Sequence, residues 1–180
     1  EEFWIWLQLK TIADIGIIGL PNAGKSSLLA SMTSANPKIA NYKFTTINPN
    51  LGVAMYDDKE ITLADIPGLI EGAHTGVGLG IKFLKHVERC KTLLHLIDIS
   101  EKNLINSYKQ IRKELGEYSK QLLRKKEIIV FNKVDLLSKD EFKFKKMKFE
   151  EKLNKKVVEL STLDKRLISK LKIKLLKNAS

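Results

Sequence analysis

The residues from 19 to 26 have the types and the spacing that hold phosphate groups. They match the pattern G-x-x-x-x-G-K-[ST], in which backbone N–H groups curl around phosphate oxygens. In this pattern the ammonium group of Lys25 reaches the outer phosphates, and the hydroxyl of Ser26 can ligate magnesium. A chance glycine turn is the alternative, but a strand-like run before the match and a helix-like segment after it favour a nucleoside triphosphate loop. Its candidate contacts are Gly19, Leu20, Pro21, Asn22, Ala23, Gly24, Lys25, Ser26 and Ser27.

A second motif, Asp65-Ile66-Pro67-Gly68, follows another apolar run. We expect Asp65 to lie in the Mg²⁺ shell and the backbone N–H of Gly68 to sense the terminal phosphate. Five glycines lie between residues 68 and 80, and they permit backbone conformations that other residues avoid. The segment 68–80 is therefore predicted to be a switch that becomes ordered when the third phosphate is present.

A third motif, Asn132-Lys133-Val134-Asp135, follows the apolar run 127–131 and predicts the identity of the base. The carboxylate of Asp135 can accept two parallel hydrogen bonds from the N1–H and the 2-amino group of guanine. Adenine lacks the amino donor, and a site of this kind discriminates by roughly 10⁴-fold or more. Lys133 can lay its alkyl stem on the base, and Asn132 can tie this loop to the phosphate loop.

These motifs lie between alternating strand-like and helix-like segments. Apolar runs predict strands at 12–20, 51–56, 60–66, 92–99, 127–131 and 157–160, the second and third of which form a hairpin. Apolar spacings of three and four predict helices from residue 26 and at 81–90, 104–122, 139–153 and 163–175. Residues 34–50 are expected to form a mobile loop. The alternation implies an α/β fold with a mainly parallel sheet that is covered on both faces.

Composition bounds the class of protein. The chain has 180 residues, of which 43% are hydrophobic and 29% charged, so a single packed domain is expected rather than a disordered or membrane-embedded chain. No apolar run approaches the roughly 20 residues that a bilayer requires. The single cysteine, Cys90, cannot form an internal disulfide, which points to a reducing compartment and a cytoplasmic protein.

The net charge of +11 is concentrated in the C-terminal half. Residues 1–101 contain 9 basic and 11 acidic side chains, whereas residues 102–180 contain 23 basic and 10 acidic side chains. This excess fits an electrostatic footprint for RNA or another polyanion. It fits a solvated lysine-rich surface equally well, and the sequence leaves both interpretations open.

Together the motifs resemble those of the translational-type GTPases and, more narrowly, the Obg family. The resemblance covers most of residues 10–162 and rests on the runs 12–14, 19–26, 37–42, 44–46, 49–53, 65–73 and 78–84. It implies a Ras-like G domain at 11–180, with a six-stranded, mainly parallel sheet, one antiparallel edge strand and helices on both faces. It also implies that residues 1–10 are a linker arm from an N-terminal domain upstream. Trp4 and Trp6, two large aromatic residues on this arm, indicate a contact surface.

The same resemblance assigns further site residues. It implies that Thr46 ligates Mg²⁺ beside Ser26 and that residues 44–48 close over the nucleotide. The implied contacts there are Phe44, Thr45, Thr46, Ile47 and Asn48. It also implies that the backbone of Ser161, Thr162 and Leu163 meets the guanine oxygen, although the family usually has alanine where this chain has Thr162.

Leu69 follows Gly68, at the position where Ras-like proteins place a water-orienting glutamine. Leucine cannot orient water, so intrinsic hydrolysis is expected to be slow. Related GTPases have an asparagine that ligates K⁺ at the position of Asn22, so the resemblance implies potassium-stimulated hydrolysis. The other interpretation is that Asn22 only shapes the loop. Lys25, Thr46, Gly68 and Asn22 are the candidate catalytic residues.

The resulting prediction is a Mg²⁺-dependent GTPase that acts as a conformational switch. The resemblance implies the large ribosomal subunit and its rRNA as partner, a link to stress through guanosine tetraphosphate, and a monomer. Two alternatives remain: an Obg-like ATPase, against which Asp135 argues, and an RNA-binding module that uses guanine nucleotide as a structural ligand.

Three side chains, His86, His95 and Cys90, are expected to have packing roles only, and His74 is expected to be an exposed loop residue.

Overall fold

The computed structural model describes residues 13–33, 38–39, 50–65 and 87–179. The strands are β1 (Ala13–Ile18), β2 (Lys38–Ile39), β3 (Asn50–Tyr56), β4 (Lys59–Asp65), β5 (Cys90–Asp98), β6 (Lys126–Asn132) and β7 (Val157–Glu159). The helices are α1 (Lys25–Met32), α2 (Leu104–Tyr118), α3 (Lys120–Arg124), α4 (Lys139–Leu153) and α5 (Lys165–Ala179), with a 3₁₀ turn at Val134–Leu136.

All the strands lie in one sheet in the order β2-β3-β4-β1-β5-β6-β7. The five strands from β4 to β7 in this order are parallel, and β3 pairs antiparallel with both β4 and β2. The α/β fold with a mainly parallel sheet and an antiparallel edge is therefore confirmed. The two-residue strand β2 is a seventh strand, which was not predicted and lies beside β3 at that edge.

Apolar side chains cover both faces of the sheet because alternate residues of a strand point to opposite sides. Leu94 and Leu96 of β5 pack with residues of α1 and α5 on one face. Leu93 packs with α2 on the other face, where Ile97 joins Phe149 of α4. Burial on both faces explains why the strands read as continuous apolar runs. No helix in the described part of the chain has the length and apolar character that crossing a membrane requires.

The strand order places the predicted phosphate loop at the point where the chain changes direction across the sheet. β1 lies between β4 and β5, and the chain leaves β1 directly into residues 19–24. In open α/β sheets, ligands bind outside the carboxyl ends of the strands at this switch point. Residues 65, 98, 132 and 159 end the other parallel strands at the same edge. This edge is called the carboxyl edge below, and the opposite one the amino edge.

The predicted helix 104–122 is wrong in its length, because α2 ends at Tyr118 and α3 begins at Lys120. Ser119 has an extended backbone (φ −154°, ψ 124°), and its hydroxyl accepts a hydrogen bond from the N–H of Gln121. The serine thus acts as the N-cap of a new helix. Leu122 is still buried, so the apolar stripe continues although the helix does not.

Other boundaries also differ from the predictions. Cys90 begins β5 rather than ending a helix, and Leu163 precedes α5 as an exposed residue rather than lying on its buried face. Lys38–Ile39 is a strand within the predicted loop 34–50. The predicted arm at 1–10, the rest of that loop apart from Asn50, and nearly all of the glycine-rich switch and the helix after it lie outside the described residues.

Candidate functional site

The phosphate-loop candidate is a tight turn between β1 and α1. A side chain at Gly19 would collide with the carbonyl oxygen of Leu96 on β5, so only glycine fits at this point. Asn22 and Gly24 have left-handed backbones, with φ of 62° and 95° respectively. Gly24 is also the N-cap of α1, and glycine adopts such a φ without steric cost. The turn therefore directs the N-terminus of α1 toward the carboxyl edge.

Lys25 is the first residue of α1 and is 9% exposed. Its ammonium group donates hydrogen bonds to the carbonyl oxygens of Gly19 (3.1 Å) and Leu20 (3.0 Å). These bonds fold the side chain back over the loop that precedes the helix. A buried positive charge is thereby held against the turn that the motif assigns to phosphate.

Ser26 and Asp65 are brought together from positions 39 residues apart. The hydroxyl of Ser26 donates to Oδ2 of Asp65 at 2.5 Å, and Asp65 is buried at the end of β4. The other carboxylate oxygen, Oδ1, is buried and has no hydrogen-bond partner among the described residues. One hydroxyl and one carboxylate with a spare oxygen are hard ligands of the kind that Mg²⁺ prefers, so this pair fits a magnesium ion.

Asn132 joins the base motif to the phosphate loop. Its side-chain Nδ2 donates to the carbonyl oxygen of Ala23 at 2.9 Å, and the asparagine is 1% exposed. A Cβ on Gly24 would collide with the same amide. The tie between the two loops that the sequence predicted is confirmed. A buried hydrogen bond of this kind holds the two loops in one fixed relative position.

Lys133 has a left-handed backbone (φ 63°), and its ammonium group contacts Oδ2 of Asp98 at 2.6 Å. The other oxygen of Asp98 accepts hydrogen bonds from the backbone N–H and hydroxyl of Ser100. Partial burial acts to raise the pKa of Asp98, but the bonds from Lys133 and Ser100 outweigh it and hold the pKa below its ordinary value. Asp98 thus anchors the lysine of the base motif as a carboxylate.

The sequence analysis did not identify Asp98. It ends β5, and its register partner on β6 is Asn132, the first residue of the base motif. The sequence offered one signal for Asp98: it is a charged residue at the end of an apolar run, between Ile97 and Ile99. The pairing of β5 with β6, which no local pattern shows, turns that signal into a contact.

Asp135 lies in the 3₁₀ turn with an exposed side chain, and no hydrogen bond to it occurs within the described ranges. The segment 160–163 lies beside it: the N–H of Val134 donates to the carbonyl of Leu160 at 3.2 Å. Ser161 is buried, and its hydroxyl accepts from the N–H of Leu163. The structure thus brings the predicted residues 161–163 next to the base motif.

Several predicted site residues fall outside the described ranges, and their roles remain predictions. They are Phe44, Thr45, Thr46, Ile47, Asn48, Ile66, Pro67 and Gly68. The described members of the site are the phosphate loop, Asp65, the base motif and the segment 161–163. All of them lie at the carboxyl edge.

A second polar cluster lies inside the sheet and was also missed. Glu127 of β6 is 4% exposed and contacts His95 Nδ1 at 3.0 Å, and its other oxygen accepts a bond from the Tyr108 hydroxyl at 3.0 Å. Burial lowers the pKa of His95, so the imidazole is neutral at neutral pH. Burial acts to raise the pKa of Glu127, but the bond from His95 and nearby positive charge hold it below its ordinary value.

The predicted packing role of His95 is therefore incomplete, because its ring both stacks on Tyr108 and bonds to a carboxylate. Cys90 behaves as expected of a packing residue. It is buried, and that burial raises the pKa of its thiol to about 12, which keeps it from being a nucleophilic thiolate.

The family model described as "50S ribosome-binding GTPase" matches residues 14–133. GTPase Obg of Pelagibacter ubique (strain HTCC1062) is 71% identical over 180 residues, which is all of this chain and 55% of that protein. GTPase Obg of Ehrlichia ruminantium (strain Gardel) is 59% identical over 87% of this chain and 46% of that protein. The chain thus spans about half the length of these curated relatives.

A solved structure of Era in complex with MgGDPNP and a segment of 16S ribosomal RNA superimposes with a TM-score of 0.71. It is 25% identical and covers 91% of this chain and 55% of the Era chain. The phosphate loop, the Ser26–Asp65 pair and the bond from Asn132 to Ala23 all lie at one edge of the sheet. The comparisons agree with this arrangement. The chain belongs to the 50S ribosome-binding GTPase family and, within it, to the Obg GTPases.

Proposed function

We propose that this chain binds GTP with Mg²⁺, hydrolyses it slowly to GDP, and acts as a conformational switch. The observation that carries the proposal is the buried bond from Asn132 to Ala23, which joins the base motif to the phosphate loop. Because these loops are 109 residues apart in sequence, their junction makes one composite site out of two motifs. Such a site recognises phosphates and base together.

In this proposal the phosphates lie along the turn 19–24, where backbone N–H groups and the N-terminus of α1 provide positive potential. Lys25 exchanges the carbonyl oxygens of Gly19 and Leu20 for phosphate oxygens. Ser26 and Asp65 would hold the magnesium ion, with Thr46 as a further ligand. The ion neutralises charge on the outer phosphates when it is bound.

Guanine would lie against the base motif, with its N1–H and 2-amino group donating to Asp135. The exposed carboxylate of Asp135 has no competing partner within the described part of the chain. Asp98 holds the head of Lys133, which leaves the alkyl stem of that lysine to pack on the base. The backbone at 161–163 would meet the guanine oxygen from the neighbouring loop.

Calorimetry with GTP, GDP, ATP and guanosine tetraphosphate, followed by a phosphate-release assay, tests the proposal. We expect tight binding of the guanine nucleotides, weak binding of ATP, and turnover on the order of 10⁻⁴–10⁻² s⁻¹ without a partner. Tighter binding of ATP than of GTP would instead identify an ATPase. Guanine-nucleotide binding without phosphate release, together with RNA affinity that ignores the nucleotide, would identify the RNA-binding module.

Asn22 supports a second part of the proposal, stimulation by K⁺. Its side chain is exposed at the turn, on a left-handed backbone, and its amide oxygen is the type of ligand that binds an alkali cation. We expect faster hydrolysis in KCl than in NaCl, and we expect Asn22→Ala to remove the difference. Equal rates in both salts would reject the potassium site and leave the GTPase proposal intact.

The partner we propose is the large ribosomal subunit, in keeping with the description of the family model. With this partner we propose a cytoplasmic location and a role in subunit assembly and stress. Co-sedimentation with purified large subunits tests it, with a non-hydrolysable GTP analogue, GDP and guanosine tetraphosphate in separate samples. Nucleotide-dependent pelleting is expected. Pelleting that is the same in all three states would contradict the switch.

A further inference from the structure

Many basic side chains of the C-terminal half lie outside the proposed nucleotide site. Helix α5 contains six basic and no acidic side chains, and Lys143 and Lys146 lie on α4. Lys126 begins β6, and Lys155 and Lys156 immediately precede β7. These three lysines lie at the beginnings of parallel strands, and therefore at the amino edge, opposite the phosphate loop. The two ends of the sheet therefore present different chemistry.

Two adjoining concavities gather these lysines. One, of about 490 Å³, is lined by Lys143, Lys146, Met147, Glu150, Glu151, Asn154, Lys155 and Lys156. The other, of about 260 Å³, is lined by Lys126, Glu127, Ile128, Ile129, Lys155, Lys156, Val158 and Lys174. Lys155 and Lys156 line both, so the two concavities adjoin, and they are described together as one surface feature. We call it the basal groove.

Two of the three carboxylates in the basal groove are engaged within the protein. Glu127 is held by His95 and Tyr108, with Lys155 at 3.7 Å. Glu150 accepts the backbone N–H of Val157 at 2.7 Å and faces Lys156 at 3.4 Å. The side chain of Lys156 is nevertheless 91% exposed. The groove therefore presents more positive than negative charge to a ligand.

Two large apolar side chains stand out of α4 beside these lysines. Phe144 is 61% exposed and Met147 is 52% exposed, and the two are one helical turn apart. Met147 lines the basal groove, so Phe144 lies at its margin. Ammonium groups together with an exposed aromatic ring are the combination that proteins use for single-stranded nucleic acid, where bases stack on rings and phosphates meet charges.

We propose that the basal groove binds RNA, with phosphates on Lys143, Lys146 and Lys156 and an unstacked base on Phe144. The choice of RNA over other polyanions rests on the proposed ribosomal partner. A concave site also suits a strand of phosphates better than a flat anionic surface. Because no residue that lines the groove belongs to the proposed nucleotide site, RNA and nucleotide can bind at the same time.

Fluorescence anisotropy with a short labelled oligouridylate and an RNA duplex of the same length tests this inference on the 180-residue chain. GDP and Mg²⁺ are kept saturating. Neutralising the groove lysines (Lys143→Gln, Lys146→Gln and Lys156→Gln together) should weaken binding of both RNAs at least about tenfold. It should also reduce the slope of log affinity against log salt by about 2 between about 50 and 200 mM KCl, since single strands contribute about 0.7 per phosphate contact.

Phe144→Leu separates stacking from charge. It should weaken binding of the oligouridylate about fivefold or more and leave duplex binding unchanged. The matched control replaces the exposed lysines Lys102, Lys109 and Lys120 with glutamine, which removes the same charge from α2, α3 and the residues before α2. That variant should keep its affinity within about twofold. Lys155 is left in place because it contacts buried Glu127.

Three results would overturn the inference. An equal loss in the matched control would mean that only net charge matters. Stronger RNA binding in a parallel titration without GDP would put the RNA on the phosphate loop. Binding of phosphatidylserine vesicles that depends on the groove lysines, with no such dependence for RNA, would identify a lipid surface. Unchanged GDP affinity in every variant shows that folding and the GTPase proposal stand independently of this outcome.

Discussion

The carboxyl and amino edges of the sheet use polar side chains in opposite ways. At the carboxyl edge two specific polar contacts join segments that are far apart in sequence, Ser26 with Asp65 and Asn132 with Ala23. Toward the amino edge many lysines line a broad groove, and their ion pairs leave the ammonium groups largely open to solvent, as in Lys156 with Glu150. The contacts at the carboxyl edge fix the positions of individual groups, whereas the lysines of the groove together create a positive electrostatic potential.

This difference predicts how the two edges respond to substitution. A buried group with one partner leaves an unsatisfied partner behind when it is removed, so a single substitution has a large effect. Exposed charges act together through a screened field, so their effects are small and graded. The four predictions below test this contrast.

Asp135→Asn should have the largest effect, on nucleotide binding. The amide places a donor opposite the guanine amino group and loses two charge-assisted hydrogen bonds of about 1.5–3 kcal/mol each, so GTP affinity should fall by about 10²–10⁴-fold. Xanthosine triphosphate has a carbonyl where guanine has that amino group, and its affinity should rise. Calorimetry measures both. Asp140→Asn, an exposed carboxylate in the first turn of α4, is the control and should bind GTP normally. Unchanged GTP affinity in Asp135→Asn would remove the base assignment.

Asn132→Ala should destabilise the fold itself. The change deletes the amide that bonds to the Ala23 carbonyl and leaves that buried oxygen unpaired, which costs about 1–3 kcal/mol. Urea unfolding of the nucleotide-free protein measures the loss. Asn106→Ala, an exposed position on α2, is the control and should change stability by less than about 0.5 kcal/mol. Equal stability of the two variants would mean that the loops are held together by other contacts.

Much of the fold and of the carboxyl edge was predictable because the relevant signals are local. The apolar runs identify the strands, and the spacing of the glycines and Lys25 identifies the turn after β1. The prediction of helix 139–153 matches α4, whose start is explained by a capping box in which Ser138 and Glu141 satisfy each other's backbone N–H groups.

The features that were missed depend on contacts between distant segments. Asp98 meets Lys133, and Glu127 meets His95, only because β5 and β6 are paired. The break at Ser119 had a different cause: the apolar spacing of the helix continues to Leu122, so periodicity alone cannot detect a cap that restarts the helix. The basal groove was not predicted either, because the number of lysines in a sequence does not show which of them lie close together in the fold.

The third prediction concerns His95, which is buried in the sheet between the two edges. It lines a small cavity with Leu20 and Ala23 of the phosphate loop, while its partner Glu127 lines the basal groove. The pKa of folded His95 lies below the ordinary 6.5, so the unfolded chain binds more protons as the pH falls below that value. Stability should therefore fall on acidification, by up to about 1.4 kcal/mol per pH unit.

Urea unfolding at about pH 7, 6 and 5 measures this loss. His95→Asn places an amide donor where Nδ1 faces Glu127 but cannot be protonated, so its stability should depend less on pH across this window. The difference between the two slopes isolates His95 from the other histidines. Identical slopes would show that His95 titrates normally in the folded protein, which its complete burial against Glu127 argues against.

Lys113→Ala should have the smallest effect and sets the baseline of the comparison. Lys113 and Glu117 lie one turn apart on α2, 3.7 Å from each other, with side chains that are 77% and 64% exposed. Solvent screens such a pair, so its loss should change the free energy of unfolding by less than about 0.5 kcal/mol. A loss above about 1 kcal/mol in urea would contradict the view that exposed charge contributes little to folding here. Stability would then have to be counted among the reasons for the lysine excess, beside the binding of a polyanion.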